Sequence, residues 1–387
     1  MVDVIRVHDD PTTIDAAAWD ALLAAQPRPT PFMRMGYLAA LQRSGSAVAR
    51  TGWAPRFVTL TRDGVLAGAV PAYLKTHSYG EYVFDWAWAD AYRRHGLAYY
   101  PKLVAAVPFT PVPGSRLLAA DDTTRAQLLR ALVALAREEA AASVHLLFAD
   151  ATESAAIAAA GWMTRNGVQF HWMRDDADPA TDFTAFVARM RHDKRKKITQ
   201  ERRRVAAAGV EFSVHEGAAI TTALWDFFHH CYRLTYAAHH STPYLTRGFF
   251  AAMAQAMPAH WVMFVARRGG APIGASLIAV DAEHGEAYGR YWGCTERVDA
   301  LHFEACYYQP LAWVIERGFR RFEGGAQGEH KMSRGLLPVA TQSAHWLAQP
   351  QFARAVDEFL QAERRGVAEY VDELREHSPF KAPPGDA

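Results

Sequence analysis

Cysteine is scarce in this chain. Its three copies, Cys231, Cys294 and Cys306, are widely spaced and form no Cys-x-x-Cys pair. That excludes a disulfide framework and fits a reducing compartment. Long apolar runs are also missing. No stretch of about 18 apolar residues occurs, so no spanning helix is expected. Residues 1–10 place Asp3, Arg6, Asp9 and Asp10 among valines and hold no signal-peptide core. The expectation is a cytoplasmic protein. Neither charge is in excess, because Lys+Arg 42 against Asp+Glu 41 leaves a formal net charge of +1. A uniformly basic nucleic-acid binder is thereby excluded. Charged residues make up only 21% and hydrophobic residues 50% of the chain, which excludes wholesale disorder.

What is present reads as alternating strands and helices. The 387 residues suffice for two domains at roughly 150 residues each. Residues 57–61 and 65–74 flank the turn dipeptide Asp63-Gly64 and predict a strand pair. An aromatic stretch follows at 79–100, then an alanine-rich helix capped by Asp121 or Asp122. Asp175 to Pro179 looks like a linker, which sets domains of 1–178 and 179–387. In the second half a basic helix is predicted over about 180–208, strands over 261–266, 273–280 and 286–292, and a long helix over 301–318. A short strand at 321–323 leads into a glycine loop. The fold class is mixed α/β, with the same order of elements in each half.

The densest chemistry lies between Tyr288 and Trp346. Gly324, Gly325 and Gly328 would let backbone N–H groups approach a carbonyl oxygen or a phosphate, with an ordinary turn as the alternative. Glu329, His330 and Lys331 follow directly and offer a carboxylate, an imidazole and an ammonium. Glu304 stands on an otherwise apolar helix, where burial would raise its pKa toward that of a general base. A structural pairing with Arg290 is the other reading of Glu304. Tyr307 and Tyr308 follow three and four residues later and could share its face. His229, His230, His239 and His240 match no compact zinc spacing, so no metal is expected. His239 and His240, with Tyr244 nearby, are read as lining a site. The cysteines are expected to be inert thiols.

The charge is unevenly spread. Residues 189–204 hold nine basic and two acidic residues, a net +7, so the rest of the chain carries −6. Lys194, Arg195, Lys196 and Lys197 form the core of this run, and a phosphate-bearing partner is one reading of it. A solvated helix face is the other.

Three groups of residues carry a family resemblance. One is His77-Ser-Tyr-Gly-Glu-Tyr-Val-Phe-Asp-Trp-Ala-Trp-Ala-Asp90 with Tyr99-Tyr-Pro-Lys-Leu103. The second is Tyr288-Gly-Arg-Tyr-Trp-Gly293 with Leu301-His-Phe-Glu-Ala-Cys-Tyr-Tyr308. The third is Glu323-Gly-Gly-Ala-Gln-Gly-Glu-His-Lys331. The chain resembles predicted bacterial N-acyltransferases labelled peptidoglycan biosynthesis or recognition proteins, which are similar to the FemAB peptidyltransferases. That resemblance implies two tandem GNAT-type acyltransferase domains, with the acyl-transfer site in the second. It also implies transfer of an acyl group from a thioester, acyl-CoA or an acyl carrier protein, to a primary amine of a sphingoid-type lipid or a cell-envelope precursor. No cofactor would be permanently bound. Peripheral contact with the inner membrane face fits such substrates. The alternatives are a FemAB-like aminoacyl-tRNA-dependent enzyme and a non-catalytic recognition protein. The absence of a long inserted helical hairpin argues against tRNA.

The expected chemistry is direct attack by the amine. Glu304 or His330 would accept its proton, with Glu329 beside them. The Gly324, Gly325 and Gly328 segment and Lys331 would stabilise the oxyanion. Tyr291 would protonate the leaving group. Arg290, Trp292, His239, His240, Tyr244 and Gln327 would line the substrate.

Overall fold

The computed structural model describes residues 2–177, 179–326 and 328–381. Gln327, expected in the site, lies outside them. The chain forms two compact units: Met1–Gly167, Tyr244–Phe249 and Ala340–Glu369 make the first, and Val168–Pro243, Phe250–Val339 and Tyr370–Ala387 the second. Two segments that follow residue 178 therefore belong to the first unit. The mixed α/β class expected from the sequence is present.

In the first unit Phe57–Arg62 and Val65–Val70 pair antiparallel. Asp63 and Gly64 both adopt positive φ between them, 49° and 84°, the backbone that a tight two-residue hairpin requires. Helix Asp122–Glu138 starts where the Asp121 carboxylate accepts the Thr124 N–H at 2.7 Å. It buries Leu128, Leu129, Leu132 and Leu135 against Val58, Leu60, Leu103 and Val144.

A second set of strands in this unit carries charge into the core. Ala72–Lys75 and Lys102–Ala105 are antiparallel, and Lys75 stands directly opposite Lys102. Both lysine side chains are fully buried. Lys102 Nζ donates to Ser78 Oγ at 2.7 Å, to Glu81 Oε2 at 2.8 Å, and to Asp85. Lys75 Nζ lies 3.5 Å from the centre of the Trp53 ring and 3.8 Å from Glu81 Oε1. Burial pushes the Lys75 ammonium down to about 7 and the Glu81 carboxyl up to about 7. Burial works against charge on Asp85 too, but Lys102 holds its carboxyl well below the usual range. Beside them His145 and His345 share a hydrogen bond of 2.7 Å between their Nδ1 atoms. Thus the polar residues of the 77–103 stretch build a sealed ionic cluster among its aromatics.

The second unit is built on strands in the order Val210–Glu216, Trp261–Arg268, Ala271–Asp281, Glu286–Cys294 and Arg321–Ala326, flanked by the end of Met163–Met173. The first four are antiparallel neighbours. Glu286–Cys294 then pairs parallel with Arg321–Ala326, but only from Glu286↔Arg321 to Tyr288↔Glu323. Beyond that rung the two strands part, while Glu286–Cys294 stays paired with Ala271–Asp281 as far as Cys294. A wedge opens between them.

Two helices differ from the sequence-based expectation. The basic helix is two helices, Phe183–Ala188 and His192–Ala207. The break falls where Met190 bridges to Phe380 and the Arg191 N–H donates to the Pro379 carbonyl. The long helix is not regular either. Leu301–Phe303 and Gln309–Glu316 are α-helical, and Glu304–Tyr308 between them is a π turn. There the Gln309 N–H donates to the Glu304 carbonyl, five residues back. This leaves the Ala305 carbonyl without its usual helical donor, and the Ser276 hydroxyl takes that place. Pro310, which has no N–H, follows at once.

Candidate active site

The wedge between the parting strands collects polar and aromatic side chains from four elements. The strands contribute Trp292 and Glu323, the irregular helix His302, Phe303 and Tyr307, and the short helix Glu329–Arg334 contributes His330 and Lys331. Turns and wide helical segments at such places frequently serve function.

His330 is exposed, and its Nε2 lies 3.2 Å from the Tyr307 hydroxyl. Burial of the ring's inner side, then the charges of Arg334, Lys331 and Lys197, hold the imidazole below its ordinary pKa. Lys331 is buried, donates to the Gly325 carbonyl at 2.8 Å, and burial pushes its ammonium down to about 8. His302 is pushed down to about 4 by burial and by the charges of His330, Arg334 and Lys331. Its ring lies 5.4 Å from Trp292 and 5.8 Å from Tyr307. On the last paired rung, Glu323 is buried with its Oε2 4.0 Å from His171 Nε2. Burial raises the Cys306 and Cys294 thiols, which favours the inert thiol form.

Glu304 does not join this group. The π turn sends Phe303 and Tyr307 toward His330, while Glu304 and Tyr308 turn toward the basic helix His192–Ala207. Glu304 Oε1 accepts from Gln309 Nε2 at 2.7 Å and from Arg202 Nε at 3.2 Å. Its partner is thus Arg202, not the Arg290 considered from sequence. Burial raises the Glu304 carboxyl, against the pull of Arg202. Tyr308 donates to Glu201, which also accepts from Arg334 Nη2 at 3.0 and 3.1 Å.

The glycines sit differently from the loop expected. Gly324 and Gly325 continue the strand Arg321–Ala326. A Cβ on Gly324 would lie 2.4 Å from Leu336 Cδ2 and 3.1 Å from the Phe170 carbonyl, so close packing dictates glycine there. Gly328 has φ 105°, and a Cβ there would meet the His330 ring at 2.5 Å. Glu329 accepts from the Tyr370 hydroxyl at 2.5 Å.

Strand alternation separates two neighbours that were expected together. Trp292 reaches His302, whereas Tyr291 packs on Tyr232 and Phe250, with ring centres 5.5 and 6.0 Å away. Arg290, at a bulge opposite Leu277 and Ile278, covers the Tyr291 ring and donates to its hydroxyl at 3.0 Å. His239 and His240 are exposed at the end of helix Thr222–Ala238. Tyr244 falls in the first unit, where it stacks on Phe109 at 4.7 Å. Lys194 pairs with Asp193 at 3.1 Å, and Lys196 and Lys197 are exposed. Among the described residues, no group of three or more His, Cys, Asp or Glu side chains could hold a metal ion.

The FemAB-like family, described as peptidoglycan biosynthesis/recognition, matches residues 10–382. The chain belongs to this family. The FemAB-like chain also shares its fold with solved structures. The crystal structure of FemX is 10% identical with a TM-score of 0.56, covering 92% of this chain and 100% of that one. L-PGS from Bacillus licheniformis is 10% identical with a TM-score of 0.55, covering 94% and 99%. No curated protein matches. Among the described residues of this FemAB-like protein, no helix is long and apolar enough to cross a membrane.

Three buried polar residues of this FemAB-like chain escaped the sequence reading: Glu201, Arg334 and His171. Glu201 had a signal. It lies between Ile198 and Val205 at spacings of three and four, which marks one helix face as inward. Arg334 and His171 had none, because only the fold brings them to Glu201 and Glu323.

Proposed function

We propose that the second unit catalyses transfer of an acyl group from a thioester, acyl-CoA or an acyl carrier protein, to a primary amine of a lipid or cell-envelope precursor. The observation that carries this reading is the His330–Tyr307 pair at the mouth of the wedge, with the Lys331 ammonium behind it. The attacking amine must lose a proton. His330, held below its ordinary pKa, stays unprotonated at neutral pH and can take that proton. With Nε2–H donating to the Tyr307 oxygen, the lone pair on Nδ1 is free for the amine. Lys331 and the backbone N–H groups near Gly328 stabilise the developing oxyanion. Tyr291 has no part in this scheme, since its ring packs away from Trp292. Membership of a family described as peptidoglycan biosynthesis/recognition supports an envelope acceptor.

The test has two stages. Lipids and cell-wall fragments from cells with and without the gene are compared by mass spectrometry, and an amide-linked species missing from the second set identifies both substrates. The purified protein is then assayed with those substrates by release of free thiol. His330→Ala should lower turnover about a hundredfold or more, the range of general-base loss. A wild-type rate in this variant, with its fold intact, overturns the site. An aminoacyl-tRNA donor is the second reading, favoured by the exposed Lys196 and Lys197. RNA affinity that falls steeply with salt and with neutralisation of these lysines would support it.

A further inference from the structure

The basic helix has a second face that the transfer scheme does not use. Between it, helix Phe183–Ala188 and strand Val210–Glu216 lies an open cleft of about 590 Å³, wholly within the second unit. This volume falls within the range of small-molecule sites, about 300–1,000 Å³. The walls are apolar: Phe183, Val187, Ile198, Val205 and Phe212. Arg195 and Arg203 also line it. Among the described residues neither is in an ion pair, unlike Arg202, which Glu304 engages. Glu304 lines the cleft as well, and its side chain is only 5% exposed. Its Oε1 takes the bonds from Arg202 and Gln309, while the buried Oε2 has no hydrogen-bond partner. A buried carboxylate oxygen without a donor is costly unless a ligand supplies one.

We propose that this cleft is a binding site for a single-chain amphiphile with an anionic head. The chain lies along the apolar walls, the head sits on Arg195 and Arg203, and a hydroxyl or amide N–H next to the head donates to Glu304 Oε2. An apolar wall selects the chain and two unpaired guanidinium groups select the charge. The remaining buried oxygen selects a donor between them. The site is independent of the acyl-transfer reading, because none of these residues takes part in the transfer scheme.

Calorimetric titration of the whole protein, with each amphiphile below its micelle concentration, tests this. The probes are lauroyl lysophosphatidate, dodecyl phosphate, dodecanoate, dodecyltrimethylammonium and inorganic phosphate. Lauroyl lysophosphatidate should bind most tightly, since its glycerol hydroxyl can reach Glu304. Dodecyl phosphate and dodecanoate share the required chemistry, and binding of either supports the site while their ratio tells which head it prefers. The cationic amphiphile should bind at least about tenfold more weakly.

Arg195→Glu with Arg203→Glu should weaken the anionic probes about tenfold or more. Ala206→Trp, at an exposed position on the cleft wall, should block them with the circular dichroism spectrum unchanged. Glu304→Gln should remove the advantage of lysophosphatidate over dodecyl phosphate, because the amide oxygen stays with Arg202 and an NH₂ then faces the cleft. Equal binding of the cationic and anionic amphiphiles overturns the proposal. So does binding of inorganic phosphate as tight as that of dodecyl phosphate, or full affinity in Ala206→Trp.

Discussion

Both units bury lysines and histidines on or beside their central strands, yet they treat them in opposite ways. In the first unit Lys75 and Lys102 face Glu81 and Asp85, and aromatic rings close over the group. Each charge meets an opposite one. In the second unit Lys331 donates to a backbone carbonyl, and the exposed His330 leans on Tyr307. Two buried lysines matched by two carboxylates make a closed structural element. An ammonium that donates to a backbone carbonyl beside an exposed imidazole stands where chemistry can use its charge.

The sharpest way to break this comparison is to unbalance the closed cluster. Lys102→Met leaves Glu81 and Asp85 buried without their main cation and should cost about 3–5 kcal/mol, read from urea unfolding. A loss below about 1 kcal/mol would mean that the cluster is not a closed ionic element.

Acid should act on the same unit. Burial holds His145 at about 3 in the folded chain, against 6.5 for the free group. Below 6.5 the unfolded chain therefore binds more protons, and stability falls as the pH falls. By about pH 4.5 the loss from His145 alone should reach about 3 kcal/mol. A His145→Asn/His345→Asn double variant should show a flatter acid limb in thermal melts. An equally steep limb in that variant would assign the acid sensitivity elsewhere.

In the second unit the same sign operates on the alkaline side. Lys331 titrates at about 8 when folded and at 10.5 when free. Between these values the unfolded chain again binds more protons, so stability rises with pH across that window. The wild type should gain about 2 kcal/mol on Lys331→Met between about pH 8 and 9.5. Parallel stability curves for the two proteins would refute the lowering of this ammonium by burial. The smallest effect belongs to His330→Ala, which should change unfolding free energy by no more than about 0.5 kcal/mol. A larger loss would move His330 from the working group to the structural one.

Much of the scaffold was legible in the sequence. The Asp63-Gly64 hairpin, the cap before the Asp122–Glu138 helix and the three strands from Trp261 to Cys294 follow from local turn chemistry and apolar patterning. The Glu329-His330-Lys331 tripeptide stood out because its residue types stand in a row, and the structure sets His330 beside Tyr307. The role of Glu304 was not. Its direction depends on a π turn, which no regular periodicity announces, and its partner Arg202 lies on another helix. The glycines misled for a related reason: a close approach by Leu336 selects glycine as strongly as a loop does. The ionic cluster of the first unit was hidden among aromatics, since a sequence does not tell that Lys75 and Lys102 are neighbours across two strands.

The π turn at Glu304–Tyr308 has a consequence for comparing this chain with its relatives. A turn closed by a five-residue step holds one residue more than an α turn. An alignment against a relative with a regular helix here should carry a one-position gap between 304 and 308. Without that gap every later residue of the helix is matched to the wrong neighbour, and a carboxylate that faces the basic helix is mistaken for one that faces the wedge.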